Sequence, residues 1–175
     1  MSGAATVRDA TVEDMPAILE IFNEQVLNSA GLYMYEEHTL EMRVQWFEDR
    51  LRNDFPVIVA VINGVVAGFG SYGSYRAYPG YKYTVEHSVY IEKTFRGQGV
   101  GKVVMDWLIE DAQRRDKHVM VACIDAANEA SIKFHEKLGF VHAGTLKQAG
   151  FKFGRWLDAT FLQLILKTPE NPIAN

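Results

Sequence analysis

A short glycine-rich segment has the clearest chemical pattern in the sequence. It lies between a segment with strand character and one with helix character, and it reads Arg96-Gly97-Gln98-Gly99-Val100-Gly101-Lys102. Glycine at alternate positions lets the backbone turn sharply and leaves its N–H groups uncovered. Together with the positive end of the following helix and two flanking cations, such groups suit a pyrophosphate. A plain strand-to-helix turn with solubilising charges is the alternative interpretation.

Two other phosphate loops fit this segment less well. A Walker loop requires glycine where Arg96 stands and serine or threonine where Val103 stands. A dinucleotide fingerprint requires glycine three residues after Gly99, where this chain has Lys102. The spacing Arg-x-x-Gly-x-Gly instead resembles the acyl-CoA loop of the GNAT acetyltransferase superfamily. The resemblance implies that residues 96–102 hold the pyrophosphate of acetyl-CoA as co-substrate, with no metal ion.

Three further segments resemble one branch of that superfamily, the phosphinothricin, methionine sulfoximine and methionine sulfone N-acetyltransferases. They cover residues 83–90, 128–140 and 150–158, and read Tyr-Thr-Val-Glu-His-Ser-Val-Tyr, Asn-Glu-Ala-Ser through His-Glu-Lys-Leu-Gly-Phe, and Gly-Phe-Lys-Phe-Gly-Arg-Trp-Leu-Asp. The resemblance implies acetyl transfer to the α-amino group of a small amino acid analogue. An acetyltransferase for protein N-termini or other amines, and a CoA-binding module without turnover, remain as alternatives.

The same resemblance implies further residues that contact CoA. In the family the fourth strand diverges from the fifth, and its backbone pairs with the pantetheine arm; the matching positions are Val89, Tyr90 and Ile91. Asn128 matches the CoA-contacting asparagine at the start of the fourth helix. The alternative role for Asn128 is a helix N-cap, and both roles are compatible.

The general base is expected on the fourth strand. Glu86 matches the proposed base of the family, and a carboxylate can take the proton of an attacking amine directly or through water. His87 is the competitor, since its pKa is naturally nearer neutrality. Neighbouring strand residues point to opposite faces, so both can serve one pocket only through a twist or bulge. Ser88 completes the group of substrate-binding candidates on this strand.

Two other positions are candidates by resemblance. His135 stands where the superfamily has a tyrosine that protonates the departing thiolate, and a structural histidine is the alternative. Arg76, in the loop Arg76-Ala77-Tyr78, matches the substrate-binding loop, and an arginine fork suits the carboxylate of a free amino acid. Members of this branch are usually homodimers, with the substrate near the interface.

The surrounding patterns predict the elements that position these residues. Apolar spacing predicts helices from about 15, 39, 100 and 128, the second with a stripe of Leu40, Val44, Phe47 and Leu51. Strands are predicted near residue 7 and over 57–62, 65–75, 83–92, 118–124, 140–146 and 156–166. This β-α-α-β-β-β-α-β-α-β-β order predicts an α/β (α+β) fold of the GNAT type. We expect a mixed sheet of about seven strands with helices on both faces.

Composition limits the remaining possibilities. The 175 residues predict one domain, residues 1–175, with a frayed tail at 168–175. A net charge of −4 argues against non-specific nucleic-acid binding, and the longest apolar run is far too short to span a membrane. The start of the chain has no run suited to a signal peptide, so a cytoplasmic protein is expected. Cys123, the single cysteine, is predicted as a small core residue.

Overall fold

The computed structural model describes residues 3–168 and Pro172, and within them the chain forms seven strands and four α-helices. The predicted frayed tail lies outside the described residues, apart from Thr168 and Pro172. The elements confirm the predicted order: β1 Thr6–Asp9, α1 Met15–Asn28, α2 Leu40–Arg52, β2 Val57–Ile62, β3 Val65–Ser74, β4 Thr84–Ile91, α3 Val100–Arg114, β5 Val119–Asp125, α4 Glu129–Lys137, β6 Val141–Lys152 and β7 Arg155–Ile165.

The strands form one mixed sheet in the order β1-β2-β3-β4-β5-β7-β6. Only β4 and β5 run parallel; the other neighbouring pairs are antiparallel. The β2–β3 hairpin turns through Asn63 and Gly64, which both have positive φ, the geometry that an Asn-Gly turn favours. The sheet thereby confirms the predicted mixed architecture.

Helices cover both faces of the sheet, as predicted. Along β2, Ile58 and Ala60 belong to a buried cluster that includes residues of α3 and α4. The alternate residues Val57 and Val59 belong to a second cluster, formed with α1 and α2. The period-2 alternation of this apolar run therefore supplies two separate cores from one strand.

The central strands β4 and β5 pair over only three positions, from Thr84↔Val119 to Glu86↔Val121. On its other edge β4 remains paired with β3 as far as Ile91. From His87 onward, one edge of β4 therefore faces an opening in the sheet instead of a neighbouring strand. The following loop and α3 start beside this opening.

Two details differ from the sequence-based expectations. The predicted stripe of α2 is wrong in part: Leu40 and Leu51 are exposed, and Arg43 is buried beside Phe47. Arg43 can lie there because its guanidinium stacks 3.8 Å from the centroid of the Phe22 ring and bonds the His38 side chain.

Strand β6 is longer than predicted and continues beyond residue 146 to Lys152. After an irregularity between Leu146 and Gly150, it pairs with β7 again up to Lys152↔Arg155. Gln148 takes a positive φ in this bulge, and its N–H donates to the Asp158 carboxylate at 2.8 Å. Because the bulge interrupts the alternation of side chains, the sequence does not show that the strand continues beyond it.

Candidate active site

A cavity of about 860 Å³ lies at the opening between β4 and β5. The glycine loop, the first turn of α4 and residues 29–33 surround it. It brings together most of the site residues predicted from the sequence: Glu86, His87, Ser88, Val89, Tyr90, Ile91, Arg96, Gly97, Gly99, Gly101, Lys102, Asn128 and His135. The opening therefore gathers these candidate residues around one cavity.

The glycine loop has the backbone that its sequence predicts. Gly97 and Gly99 have φ values of 76° and 83°, a region that side chains disfavour, and Gly99 is the N-cap of α3. A Cβ added at Gly101 would lie 3.7 Å from Phe134 and 3.8 Å from Ile91, so packing does not require glycine there. Its missing side chain instead leaves the mouth of the loop open, as close approach of a phosphate requires.

The side chains of the loop divide between positions that line the cavity and positions that do not. Arg96 bonds the Ile91 carbonyl at 3.1 Å and pairs with Glu24 of α1 at 2.6 Å. Lys102 is exposed and pairs with Asp106 one turn later. Gln98 donates to the Thr94 carbonyl and Val100 is buried in the core. Among the described residues, these last two do not line the cavity.

The end of β4 offers backbone groups on the side of the opening. Val89 and Ile91 pack towards α3, whereas Tyr90 packs against Phe22 and Phe69 on the opposite face. Their side chains are thus anchored in both cores. The free edge of the strand leaves main-chain groups available to pair with an extended ligand, as in β-strand addition.

Asn128 caps α4. Its side-chain oxygen accepts from the Ser131 N–H at 3.1 Å, and its own N–H donates to the Asp125 carbonyl at 2.8 Å. The cap predicted as the alternative role is therefore present. Asn128 also lines the cavity, so both roles are open to it.

Glu86 lies half-buried on the face of β4 that carries α1 and α2. Burial raises the pKa of its carboxyl, while the positive charges of Arg76 and Arg50 act in the opposite direction. Arg50 comes from α2 and bonds the Tyr72 carbonyl at 3.3 Å. Sequence analysis did not find Arg50, because a single arginine on an exposed-looking helix has no distinguishing pattern.

His87 and His135 meet on the other face of β4. Their rings are stacked with centroids 5.0 Å apart, and the two Nε2 atoms are separated by 3.2 Å. The Nδ1 atom of His135 lies 2.7 Å from the Ser131 carbonyl, so it must be the protonated nitrogen. Burial lowers the pKa of both imidazoles, that of His87 to about 3.

Glu86 and His87 both line one cavity without the bulge that was predicted as one way to bring them there. The register of β4 against β3 is continuous through both residues. Their side chains leave the strand on opposite faces, as alternation requires. The cavity reaches both because it lies at the open edge of the strand.

The prediction that Cys123 is a core residue is wrong. Its side chain is exposed to the cavity, on the face of β5 opposite Ala122. At this level β4 has already diverged from β5, so Cys123 has a paired strand, β7, on one side only. Partial burial, with a smaller contribution from the Glu86 charge, raises its pKa to about 11.

The segment 29–33 forms a wall of the cavity that sequence analysis missed. Ser29, Gly31, Leu32 and Tyr33 line the cavity, and the Tyr33 hydroxyl donates to the Asp158 carbonyl at 3.4 Å. This connection between α1 and α2 has no periodic pattern. Its position depends on contacts with residues more than 100 positions later in the chain.

The predicted substrate loop lies beside the cavity. Arg76, Ala77 and Tyr78 are exposed and, among the described residues, are not part of its lining. The Arg76 guanidinium lies 5.1 Å from the Tyr75 ring centroid, and its charge acts on Glu86. Within residues 3–168 and 172 there is no cluster of three metal-ligating side chains and no helix long and apolar enough to cross a bilayer.

Comparison with known proteins agrees with this geometry. Residues 15–140 match the acetyltransferase (GNAT) family. An L-methionine sulfoximine/L-methionine sulfone acetyltransferase of Salmonella typhimurium is 44% identical over 97% of this chain and 99% of its own length. A phosphinothricin N-acetyltransferase of Streptomyces viridochromogenes is 33% identical over 95% of this chain and 90% of its own length.

A solved structure gives the same result for the fold. The protein yncA, a putative acetyltransferase from Salmonella typhimurium solved with its cofactor acetyl-CoA, superposes with a TM-score of 0.95. It is 43% identical, with 99% of this chain and 100% of that protein covered. Sequence and fold agree over nearly the whole length, and the chain belongs to the GNAT acetyltransferase family.

Proposed function

We propose that this protein transfers the acetyl group of acetyl-CoA to the α-amino group of a small amino acid analogue such as methionine sulfoximine, methionine sulfone or phosphinothricin. The proposal rests on one observation above all. The half-buried carboxyl of Glu86 lies at the open edge of β4, in the same cavity as the glycine loop. Relatives with these named activities support the choice of substrates.

The acetyl donor, acetyl-CoA, occupies the side of the cavity formed by α3 and α4. The N–H groups of residues 96–102 hold the pyrophosphate, with Arg96 and Lys102 adding charge. The pantetheine arm pairs with the free edge of Val89–Ile91 and passes Asn128. This path brings the thioester to the level at which β4 and β5 separate, next to Glu86 and Cys123.

The acceptor arrives from the side of α1 and α2. Arg76 binds its carboxylate, Ala77 and Tyr78 flank that contact, and Ser88 with residues 29–33 lines the space for its side chain. Glu86 takes a proton from the ammonium group, directly or through water. A raised pKa makes this carboxylate a stronger base than an exposed one.

The neutral amine then attacks the thioester carbonyl carbon. The C–N bond forms and the C–S bond breaks. The amide nitrogen gives up its one extra proton through water to the His87–His135 pair, and the proton held by Glu86 is released to solvent. The CoA thiolate needs one proton to leave as a thiol. His135 supplies it from Nε2 only after the pair with His87 has accepted a proton, because Nδ1 stays bonded to the Ser131 carbonyl.

We also propose that the chain acts as one domain in a cytoplasmic homodimer. The β6–β7 ribbon exposes three aromatic side chains near its tip, Phe151, Phe153 and Trp156. Exposed aromatic patches of this kind are typical of protein interfaces. Sedimentation equilibrium of the parent and of Trp156→Glu tests the assembly: a dimer that becomes a monomer supports it, and a monomeric parent contradicts it.

Thiol release from acetyl-CoA against a panel of amines tests the function. The panel contains methionine sulfone, methionine sulfoximine, phosphinothricin, the methyl ester of methionine sulfone and a peptide with a free N-terminus. We expect turnover with the free amino acids and much weaker turnover with the ester and the peptide. Faster turnover of the peptide would favour an N-terminal acetyltransferase, and acetyl-CoA binding without turnover would favour a binding module.

A further inference from the structure

Lys152 is a buried cation near the tip of the β6–β7 ribbon that the proposed reaction does not use. Its side chain is 3% exposed, and no carboxylate among the described residues pairs with it. Its ammonium group donates instead to three main-chain carbonyls, those of Val26 at 2.6 Å, Ser29 at 2.7 Å and Leu32 at 2.7 Å. An ammonium has three N–H donors, so this contact satisfies it completely.

The three carbonyls belong to the end of α1 and the segment that follows it. A helix leaves its last carbonyls without partners and carries a partial negative charge at that end. The last turn of α1 contains no basic residue of its own. Lys152 supplies the missing donor and charge from a position 126 residues later than Val26.

Three neighbouring contacts join the same two parts of the chain. The Tyr35 hydroxyl donates to the Phe151 carbonyl at 2.6 Å, and the Tyr33 hydroxyl donates to the Asp158 carbonyl at 3.4 Å. Gly150 lies so close to the Tyr33 ring that any side chain there would collide with it. Residues 29–35 are thus fastened to the ribbon, with Lys152 as the buried member of the set.

The fastened segment also forms the wall of the cavity on the side proposed for the acceptor. Ser29 and Leu32, whose carbonyls bind Lys152, line the cavity themselves, as do Gly31 and Tyr33. The ammonium group therefore bonds directly to two residues of this wall. The donor side, at residues 89–102, contacts α1 through Phe22 and Glu24, but none of the hydrogen bonds among the described residues joins it to residues 29–35.

We propose that Lys152 is a positioning residue for the acceptor pocket, holding residues 29–33 in place as its wall through three carbonyl bonds. The proposal deepens the function proposed above and rests on it. It predicts that loss of the ammonium group affects the amino acid and spares acetyl-CoA. A residue that served only the stability of the fold would affect both substrates alike.

The test compares Lys152→Met with Lys147→Met. Methionine retains an unbranched side chain but has no donor, and Lys147 is an exposed lysine on the same strand that serves as the matched control. For Lys152→Met we expect the KM of methionine sulfone to rise about 10-fold or more, since small displacements of a positioning element have effects of this size. The KM of acetyl-CoA should remain within about 2-fold of the parent value. Lys147→Met should have the parent's KM for methionine sulfone and for acetyl-CoA.

Hydrogen exchange without substrates provides the second measurement. Amides of residues 29–35 should exchange faster in Lys152→Met, while those of residues 96–102 should not change. Unchanged exchange at 29–35 would overturn the proposal, because the ammonium would then not hold the segment. Faster exchange with an unchanged KM for the amino acid would overturn it too, since the wall would not position the acceptor.

A second variant covers the case in which Lys152→Met does not fold. Tyr35→Phe removes one hydroxyl from an exposed side chain of the same attachment, and the same two measurements apply to it. Exchange reports on the attachment without any catalysis, whereas the amine panel reports on the proposed function. A parent that acetylates no amino acid contradicts that function and, with it, the assignment of this wall to an acceptor.

Discussion

The Nε2 atoms of His87 and His135 lie 3.2 Å apart, and the hydrogen between them belongs to His87. The Ser131 carbonyl accepts from Nδ1 of His135, which leaves Nε2 of the neutral ring as an acceptor. His87 must therefore donate from Nε2. Its own Nδ1 is buried and has no partner among the described residues. Both rings thus remain neutral and ordered until a proton reaches the pair.

This pair predicts acid sensitivity of the fold. Burial lowers the pKa of both histidines, that of His87 to about 3. A histidine in an unfolded chain has a pKa of about 6.5. The unfolded chain therefore binds more protons below that pH, and stability falls as pH falls. For each histidine, the free energy of unfolding can fall by at most about 1.4 kcal/mol per pH unit.

Urea unfolding of the parent and of His87→Gln from pH 7 to pH 5 measures this effect. We expect the free energy of unfolding to fall less steeply in the variant, which has lost one of the two groups. Parallel curves for the two proteins would mean that His87 is already protonated or solvated in the folded state.

Glu86→Gln tests the general base. Glutamine has nearly the same size but cannot accept a proton, so we expect kcat to fall by roughly 10²–10⁴. The deficit should shrink at high pH, where more free amine is present. Acetyl-CoA affinity should not change, because the strand contacts the donor through its backbone. Normal turnover in Glu86→Gln together with an inactive His87→Gln would assign the base to histidine.

The same substitution should stabilise the fold at neutral pH. Because burial raises the pKa of Glu86, folding favours its protonated form, and the associated stability is lost as pH rises through the folded pKa. At pH 7 the ionised carboxylate is the less favourable form. Differential scanning calorimetry should give a higher Tm for Glu86→Gln at pH 7, with the difference shrinking towards pH 4.

Gly101→Glu and Gly101→Gln separate charge from size at the glycine loop. A Cβ at Gly101 meets its neighbours at ordinary contact distances, so both variants should fold. The carboxylate would face the phosphates, and like charges at a contact oppose binding by several kcal/mol. Calorimetric titration with acetyl-CoA should show a loss of about 100-fold or more for Gly101→Glu beyond any loss in Gly101→Gln. Equal losses would indicate simple obstruction.

Arg76→Ala and Arg76→Lys test the carboxylate contact. Losing one partner of a charge pair costs roughly 2–5 kcal/mol, and we expect the lower end because Arg76 is exposed. The KM of methionine sulfone should therefore rise about 30-fold in Arg76→Ala. In Arg76→Lys the rise should be smaller but still present, since lysine keeps the charge and lacks the planar fork. A parent that acetylates carboxylate-free amines equally well would remove the basis of this assignment.

Much of the fold follows from local patterns in the sequence. The Asn63-Gly64 turn, the glycines before α3 and the apolar repeats of α1 and α3 each act over a few residues, and the structure confirms the elements they predict. The glycine loop could be found as a site candidate for the same reason, whereas Glu86 is identified by the resemblance of its segment to one acetyltransferase branch. The chemistry of the loop depends on residue types at short spacing.

Features that depend on distant contacts could not be predicted. Cys123 has the neighbours of a core residue along the chain, but its side chain lies on the cavity face of β5, which depends on how distant elements are arranged. Arg43 and Lys152 are of charged residue types that usually lie at the surface, and both are buried here because their partners come from other elements. Residues 29–33 line the cavity without any pattern of their own.

The cavity at the opening between β4 and β5 has two sides, and the gene encodes their residues in different ways. The proposed donor side comes from one continuous stretch of the gene, encoding residues 89–138, in which the end of β4, the glycine loop, α3, β5 and α4 follow one another. The other side includes residues 29–33, with the Arg76 loop and the Lys152 ribbon encoded far away on either side. Changes in these separate stretches can alter the proposed acceptor side one wall at a time and leave the continuous stretch as it is. Descendants of one ancestral gene can therefore diverge in the amines they use without diverging in how they use acetyl-CoA.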